Sequence, residues 1–372
     1  MMSSMRISPA AVAVFLSLLA VAVGGCINSA GAWTITINGN PQYVIDRTVY
    51  DGFGYRLTIN GTTGVPLEQF LYAEGLYPVT EVTIAGRSYD WNALANATTF
   101  ELPLLVTADG RVFDGQGYLR AGNINVTVAD RPAHTSLDIA PSMLYALGLG
   151  GDDTLIQGRS DRVVLFYVDA MGYERYEQAK SRGIINNITS LGAPEKLACM
   201  YPSVSIVNGK TLITGMPPDA GKGDYESHLP DGPTVLETAA QHGLIAYWIG
   251  GNTSPVDPGD FRISCPDRNE NGYEADEVTT EAIRQYGSGA DLLYVHYKDS
   301  DTIAHVYGPF SDEAMASLEY ADIQIGRMLP CLDPGTIVIV YADHGGHKVP
   351  GGGNHGCLIP SDMIVPFIVH VI

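Results

Sequence analysis

The sequence predicts an α/β fold with a mostly parallel sheet covered by helices on both faces, preceded by a small β-rich domain. From Asp161 onward, short and almost entirely apolar runs alternate with helical stretches. Residues 33–130 instead show short runs in which β-branched residues alternate with polar ones. The chain has 372 residues, of which 45% are hydrophobic, and this is enough for two domains with folded cores.

The first 26 residues are predicted to be a targeting segment that is not part of the fold. Arg6 supplies positive charge, residues 10–23 are apolar, and small residues precede Cys26, as in a lipoprotein cleavage box. We therefore expect export, cleavage before Cys26 and lipid attachment at that cysteine. The protein would then be a membrane-anchored lipoprotein of the cell surface. An uncleaved membrane anchor is the alternative, although the apolar run is short for a full span.

Two further features agree with export. Five glycosylation-type sequons occur, and four cysteines remain when Cys26 is set aside. An even number of cysteines is compatible with two disulfides, and buried free thiols are the alternative. The four cysteines are Cys199, Cys265, Cys331 and Cys357.

The β-rich accessory domain is assigned to residues 33–130. Gly, Asn and Asp punctuate its strand-like runs, and one helix is expected near 67–74. It contains no cluster of catalytic residue types, so we expect a binding or spacer role. Residues 131–160 are expected to be a linker with a helix at 137–149.

The strands of the catalytic domain, 161–372, are its apolar runs. Such runs are typical of parallel strands buried on both faces, and helical stretches such as 234–242 and 312–329 would cover those faces. The predicted strands are 163–168, 196–200, 244–249, 292–296, 336–341 and 364–371.

The net charge limits the class of partner. The formal charge of −20 arises from 41 acidic and 21 basic residues, and such a surface repels nucleic-acid backbones. We therefore expect no binding to nucleic-acid duplexes. A small anionic substrate is still compatible with this charge, because bound cations dominate the field of their own site.

Residues of the types that bind metals follow the predicted strands. Sites in open α/β sheets form beyond the carboxyl ends of the strands, where these residues fall. Asp301 and His305 have i, i+4 spacing, which places both on one face of a helix. The candidate ligands are Asp169, Asp301, His305, Asp343, His344 and His355.

A candidate nucleophile, Ser205, follows the second predicted strand. A hydroxyl at the start of a helix lies beside free backbone N–H groups, which favour anions. Asn208 lies three residues on and faces the same side of the helix, where its amide would stabilise phosphoryl charge. A serine hydroxyl needs a base or a metal to become a good nucleophile.

Each of these residues has a plainer structural interpretation. Asp169 and Ser205 could be helix caps. Asp299 competes with Asp301 for the carboxylate role, and His347 is the alternative to His355. The concentration of such residues at strand ends favours a site with a pair of divalent cations around a nucleophile.

Several motifs in register resemble the type I phosphodiesterase/nucleotide pyrophosphatase family, a branch of the alkaline phosphatase superfamily. The resemblance covers about 161–372, and Ser205 stands where the family has a nucleophilic threonine. The matching motifs are Tyr201-Pro-Ser-Val-Ser-Ile-Val-Asn208, Thr214-Gly215, Asp301 and His305 followed by Tyr307-Gly-Pro309, Asp343-His-Gly345, His355-Gly356 and Pro366-Phe367.

The resemblance implies an alkaline phosphatase-like fold and two zinc ions. One ion would be held by Asp301, His305 and His355. The other would be held by a second set of ligands: Asp169, Asp343, His344 and the Ser205 oxygen. Carboxylate and imidazole ligands suit Zn²⁺, and Mn²⁺ is compatible with the same set.

In the family, the strand corresponding to 364–371 is usually followed by a helix. The segment 137–149 resembles that helix placed ahead of the catalytic region, and we expect it to dock on the core near 364–371. Its apolar face is expected to be formed by Ile139, Met143, Leu144 and Leu147.

The implied activity is hydrolysis of a small phosphate ester through a phosphoserine intermediate at Ser205. A phosphomonoesterase or a phosphomutase of the same superfamily is one alternative, and a non-catalytic surface lipoprotein is another. A sulfatase is disfavoured, because the sequence at 205–209 does not match the Cys/Ser-x-Pro-x-Arg motif that sulfatase chemistry needs.

Overall fold

A computed structural model describes residues 33–40, 42–97, 102, 104–218 and 227–372. These residues fall into two compact units. The first contains the described residues of Met1–Tyr77, Glu81–Tyr89 and Pro103–Thr127, and the second contains those of Pro78–Thr80, Asp90–Leu102 and Val128–Ile372. The predicted targeting segment, including Cys26, lies outside the described residues.

The first unit is β-rich, as predicted. It has one sheet with strand order β2-β1-β10-β5-β6 and another with order β3-β4-β7-β8-β9. The strands are β1 (Thr34–Asn38), β2 (Tyr43–Asp46), β3 (Leu57–Ile59), β4 (Thr62–Pro66), β5 (Val79–Ile84), β6 (Arg87–Asp90), β7 (Leu105–Val106), β8 (Arg111–Phe113), β9 (Tyr118–Arg120) and β10 (Asn123–Val128). Its helices are α1 (Arg47–Gly52) and α2 (Leu67–Ala73), and α2 is the helix expected near 67–74.

The second unit is built on an eight-stranded sheet with order β11-β13-β20-β17-β12-β16-β14-β15. Only β20 runs antiparallel to its neighbours β13 and β17, so the sheet is mostly parallel, as predicted. The strands are β11 (His134–Thr135), β12 (Val163–Val168), β13 (Glu195–Ala198), β14 (Ala246–Gly250), β15 (Arg262–Ser264), β16 (Leu292–Tyr297), β17 (Ile337–Tyr341) and β20 (Ile364–Val371), and β18 (His347–Val349) and β19 (Gly352–Asn354) form a separate hairpin.

Helices cover both faces of this sheet. Side chains alternate along a strand, so Tyr294 and Tyr297 of β16 point to opposite faces. The Tyr297 hydroxyl bonds Thr279 on one face, and the Tyr294 hydroxyl approaches the Met143 sulfur on the other. The helices are α3 (Trp91–Ala97), α4 (Ile139–Ala146), α5 (Tyr173–Ser181), α6 (Asn186–Ser190), α7 (Ser205–Thr214), α8 (Val235–Gln241), α9 (Ala275–Gly287), α10 (Asp299–Tyr307), α11 (Asp312–Met328) and α12 (Pro360–Met363).

The helix of the linker region is shorter than expected and packs elsewhere. It spans Ile139–Ala146 as α4, after a 3-10 turn that begins with a capping box between Thr135 and Asp138. It packs mainly against α7 and α8 rather than near 364–371, which is a correction. The helix that packs against β20 is instead α5.

Two other sequence-based expectations have structural outcomes. The four described cysteines are free thiols, so the disulfide alternative is wrong in this structure. Among the described residues, no helix is long and apolar enough to cross a membrane.

Candidate active site

The predicted site residues gather at the carboxyl edge of the sheet. Asp169 follows β12 directly, and Asp343 and His344 follow β17. Ser205 is the first residue of α7, which follows β13, and Asp301 lies in the first turn of α10, which follows β16. These strands are parallel to one another, so their ends meet on one edge and bring together residues far apart in sequence.

The loops after β12 and β17 are locked together. Ala170 adopts a positive φ of 55°, an uncommon conformation for a residue with a Cβ. Its N–H donates to Asp343 Oδ1 at 3.2 Å, and its carbonyl accepts from Arg175 at 2.7 Å. Gly172 and Gly345 pack so closely that a Cβ on Gly172 would overlap the Gly345 Cα. The spacing between Asp169 and Asp343 is therefore set by backbone contacts.

The Ser205 hydroxyl lies among the candidate ligands. Its Oγ is 3.3 Å from Asp169 Oδ1 and 3.0 Å from His344 Nε2. The N-cap residue of α7 is Val204, which makes no side-chain cap, so the first backbone N–H groups of α7 are not satisfied by a capping side chain. The structure therefore places a hydroxyl, ligand side chains and an uncapped helix N-terminus in one place.

Asn208 does not have the environment that the sequence suggested. It is fully buried, its Oδ1 accepts from Met200 N at 2.7 Å, and its Nδ2 donates to the carbonyls of Met200 and Val204 at 3.1 and 3.3 Å. All of these bonds brace the turn between β13 and α7. These bonds favour a structural role for the amide over the expected stabilisation of phosphoryl charge, which stays a prediction.

Three histidines present unprotonated nitrogens to the site. The Nδ1 atoms of His305, His344 and His355 lie 3.1, 2.7 and 2.9 Å from backbone carbonyls, which can only accept. Each Nδ1 therefore carries the proton, and each Nε2 has a free lone pair. Two of these, on His305 and His355, approach within 3.1 Å, where two facing lone pairs repel unless a proton or a metal ion lies between them. Histidines held in this way are typical of metal ligands.

The ligand atoms form two overlapping groups. Asp169, Asp343 and His344 make one, in which His344 Nε2 lies 3.5 Å from Asp169 Oδ1 and 3.3 Å from Asp343 Oδ2. The other contains Asp301 Oδ1, which lies 3.5 Å from His305 Nε2 and 3.6 Å from His355 Nε2. His344 is within ligand distance of the second group as well, so it lies between the two. Carboxylate oxygens and imidazole nitrogens are donors of the types that bind divalent metal ions.

Burial and neighbouring groups shift the pKa values of two carboxylates of this cluster in opposite directions. Burial, followed by the charges of Asp343 and Asp301, raises the pKa of Asp169 well above its ordinary value. Burial opposes ionisation of Asp301, but interactions with neighbouring groups, led by His355 and including the buried Arg175, outweigh it and lower its pKa. Burial lowers the pKa of His355 to about 3, so its imidazole is neutral. Bound cations would compensate the carboxylates that lie close together here.

The two competing residues have other roles. The Asp299 carboxylate accepts from the backbone N–H groups of Glu274 and Ala275, and so braces the start of α9. His347 Nδ1 lies 2.9 Å from Asp362 Oδ1, and Asp362 Oδ2 accepts from Cys357 N at 2.9 Å. The Asp362 carboxylate is thereby satisfied, and it ties the loop after His344 to the loop after His355.

Sequence reasoning missed three buried residues around the site. Tyr167 and His296 each hydrogen-bond a candidate ligand, Asp343 and Asp169 respectively. Arg175 is fully buried and donates to two backbone carbonyls. His296, a polar residue near the end of an apolar run, was a detectable signal. The sequence around Tyr167 and Arg175 contains no comparable signal.

Comparison with known proteins supports the resemblance seen in the sequence. The family model for type I phosphodiesterase/nucleotide pyrophosphatase matches residues 231–363. That range includes Asp301, His305, Asp343, His344 and His355, and it begins after Ser205.

Curated relatives and a solved structure are also similar to parts of the chain. Venom phosphodiesterase 2 of Crotalus adamanteus is 24% identical over 204 residues, which cover 44% of this chain and 24% of that protein. GPI ethanolamine phosphate transferase 3 of Eremothecium gossypii is 24% identical over 266 residues, which cover 68% of this chain and 25% of that protein. The chain thus spans about a quarter of these relatives. A 2-O GAG sulfatase structure aligns with a TM-score of 0.43 and 14% identity, covering 57% of this chain and 64% of that one.

Proposed function

We propose that this chain is a metal-dependent phosphoric ester hydrolase, and the match of the type I phosphodiesterase/nucleotide pyrophosphatase family model to residues 231–363 supports this. The site would hold two zinc ions, with Mn²⁺ as an alternative, and Ser205 would be the nucleophile. One observation carries the proposal: the Ser205 Oγ lies 3.3 Å from Asp169 and 3.0 Å from His344, at the uncapped start of a helix.

The ligand assignment follows the two groups of donors. Asp169, Asp343, His344 and the Ser205 oxygen would hold one ion, and a second set, Asp301, His305 and His355, would hold the other. Two bound divalent cations would lower the pKa of the Ser205 hydroxyl and offset the negative charge of the phosphoryl group.

The chain's own groups account for the rest of the reaction. Ser205 Oγ forms a bond to phosphorus while the bond from phosphorus to the ester oxygen breaks, and the leaving alcohol takes up a proton. The free N–H groups at the start of α7 face the equatorial oxygens of the phosphoryl group and stabilise their charge. Water then attacks the phosphoserine, which releases phosphate or a phosphomonoester and restores the serine hydroxyl.

A substrate panel tests this function. Purified protein is assayed with bis-p-nitrophenyl phosphate, p-nitrophenyl phosphate and ATP, before and after chelation and after Zn²⁺ or Mn²⁺ is added back. The proposal predicts chelator-sensitive, metal-restored release of nitrophenol from the diester. Preference for the monoester would favour the phosphomonoesterase alternative, and transfer between two positions of one molecule would favour a phosphomutase. A protein that binds neither metal and turns over none of these compounds would be the non-catalytic surface lipoprotein.

A second candidate is transfer of the phosphoryl-containing group to an alcohol instead of water. It is favoured by the similarity to GPI ethanolamine phosphate transferase 3, which covers more of this chain than the similarity to the venom enzyme. The chemistry at Ser205 is the same until the last step. Product analysis with an added alcohol, such as glycerol or ethanolamine, separates phosphate-ester transfer from hydrolysis.

We also propose that the protein is exported and anchored by a lipid at Cys26, with catalytic residues 161–372 outside the cytoplasm. The lipoprotein-type box ahead of Cys26 motivates this. Mass spectrometry of the mature N-terminus is the test. A lipidated Cys26 as the first residue is expected, and an intact Met1 with unmodified Cys26 would refute it.

A further inference from the structure

Two aromatic side chains lie directly beneath the carboxylates of the site. Tyr167 on β12 and His296 on β16 are paired residues of neighbouring parallel strands. Their rings stack with centroids 4.2 Å apart and planes inclined by 28°. Both side chains are buried, so each ring is held in one orientation by its neighbours. We call them the donor pair.

Each member of the donor pair hydrogen-bonds a different aspartate. The Tyr167 hydroxyl donates to Asp343 Oδ2 at 2.6 Å, and His296 Nε2 lies 2.9 Å from Asp169 Oδ2. With Oδ2 occupied, Asp169 turns Oδ1 toward the site, where it meets Ser205 Oγ at 3.3 Å and His344 Nε2 at 3.5 Å. At Asp169 the bond from beneath thus decides which carboxylate oxygen is presented to a ligand. At Asp343 the bond from Tyr167 to Oδ2, together with the bond from Ala170 N to Oδ1, fixes the plane of the carboxylate.

The surroundings of His296 show that its polarity serves Asp169. It lies in an aromatic cluster in which Trp248 is 5.7 Å away and stacks on Tyr294. Its Nδ1 is buried and has no hydrogen-bond partner among the described residues. An apolar ring would fill the same space without leaving a buried nitrogen unsatisfied, which costs stability. The bond to Asp169 is the one polar contact that explains a histidine here.

We propose that Tyr167 and His296 are positioning residues that orient Asp343 and Asp169 to bind a divalent cation. This inference rests on the proposed metal-dependent function. Partners of ligating carboxylates fix the direction of the ligand lone pairs, and their loss commonly weakens metal binding by about 10- to 100-fold. Tyr167 and His296 act as a pair because their rings stack on each other. Each hydrogen-bonds one of the two carboxylates that the proposed function assigns to the same ion.

The test is zinc affinity, measured by competition with EDTA on the full-length protein. Tyr167→Phe removes one hydroxyl and keeps the ring, and His296→Leu removes the donor to Asp169. Each is expected to weaken zinc binding at this site by about 10- to 100-fold. His296→Gln, which retains an N–H donor, should recover part of the loss. The matched control is Tyr294→Phe, a buried tyrosine of β16 whose hydroxyl lies 3.4 Å from the Met143 sulfur and not at a carboxylate.

The outcomes separate this inference from the proposed function. One outcome is that the parent protein binds zinc and Tyr167→Phe binds it as tightly as Tyr294→Phe does. In that case the donor pair has no positioning role, and only this inference fails while the proposed function stands. If the parent binds neither zinc nor manganese, the proposed function fails with it. Thermal unfolding with excess EDTA reports on the fold without metal, and Tyr167→Phe decides the question even if His296→Leu does not fold.

Discussion

The hydroxyl of Ser136 lies 2.8 Å from the hydroxyl of Tyr341, which is 205 residues later in the chain. Tyr341 is the last residue of β17, just ahead of Asp343, and Ser136 opens the short segment that leads into α4. The same segment pairs with β13 through β11, and α4 packs on α7, the helix that begins with Ser205. Residues 134–146 are therefore part of the support of the site.

A fragment that begins at Asp161 should aggregate or unfold at lower temperature than the full chain. It lacks α4, whose Ile139 and Met143 are fully buried. Burying such a side chain is worth roughly 1.5–3 kcal/mol, against a typical net stability of about 5–15 kcal/mol. Circular dichroism and thermal unfolding are the measurements. A soluble and fully active fragment 161–372 would contradict the expectation.

Ser205→Ala should abolish turnover while most metal binding survives. Asp169, Asp343 and His344 remain as the candidate ligands of that ion when the hydroxyl is lost. The measurements are kcat on bis-p-nitrophenyl phosphate and zinc content by atomic absorption. Ser190→Ala is the control, because that hydroxyl donates to a backbone carbonyl in α6, away from the site. Turnover near that of the parent protein would exclude the covalent mechanism.

Asn208→Ala should lower the free energy of unfolding while kcat changes little. The change leaves Met200 N without its side-chain acceptor in a fully buried turn, and an unsatisfied buried donor costs about 1–3 kcal/mol. Urea unfolding measures the loss, and kcat is measured on the folded protein. A loss of kcat with unchanged unfolding free energy would instead assign its amide to the phosphoryl group.

Asp362→Asn should destabilise the protein by about 1–3 kcal/mol, because an amide cannot accept from both His347 and Cys357 as the carboxylate does. The matched control is Asp312→Asn, whose side chain is 94% exposed and pairs with Arg182. Such a surface pair is worth about 0–1 kcal/mol. Equal unfolding free energies for the two variants would show that the buried pair does not support the loops.

Metal removal should lower both activity and the melting temperature. A ligand present at 100 times its dissociation constant stabilises the folded state by about 2.7 kcal/mol, and chelation removes that contribution. Differential scanning calorimetry with EDTA, and then with excess Zn²⁺, measures the change. A melting temperature that is the same in both conditions would argue against a resident metal.

The sequence was informative where residue type and strand order together decide position. Asp169, Asp343 and His344 follow apolar runs, and parallel pairing alone brings such ends together. The inward amide of Asn208 was not predictable, because i, i+3 spacing tells which helix face it shares with Ser205 but not that Met200 folds back onto it. The packing of α4 was mispredicted because an apolar helix face in the sequence does not tell which elements cover it, and in the structure these are α7 and α8, while α5 packs against β20.

The contact between Gly172 and Gly345 has a consequence for how variation is tolerated. A methyl group at either position would meet backbone atoms, which cannot rotate aside as a side chain can. In a deep mutational scan, these two positions should accept almost nothing but glycine, although neither side chain could take part in chemistry. Loss of function on substitution there would show that backbone contacts fix the spacing between two loops that carry candidate ligands. Alanine variants of these glycines would therefore be misleading as evidence of a catalytic role.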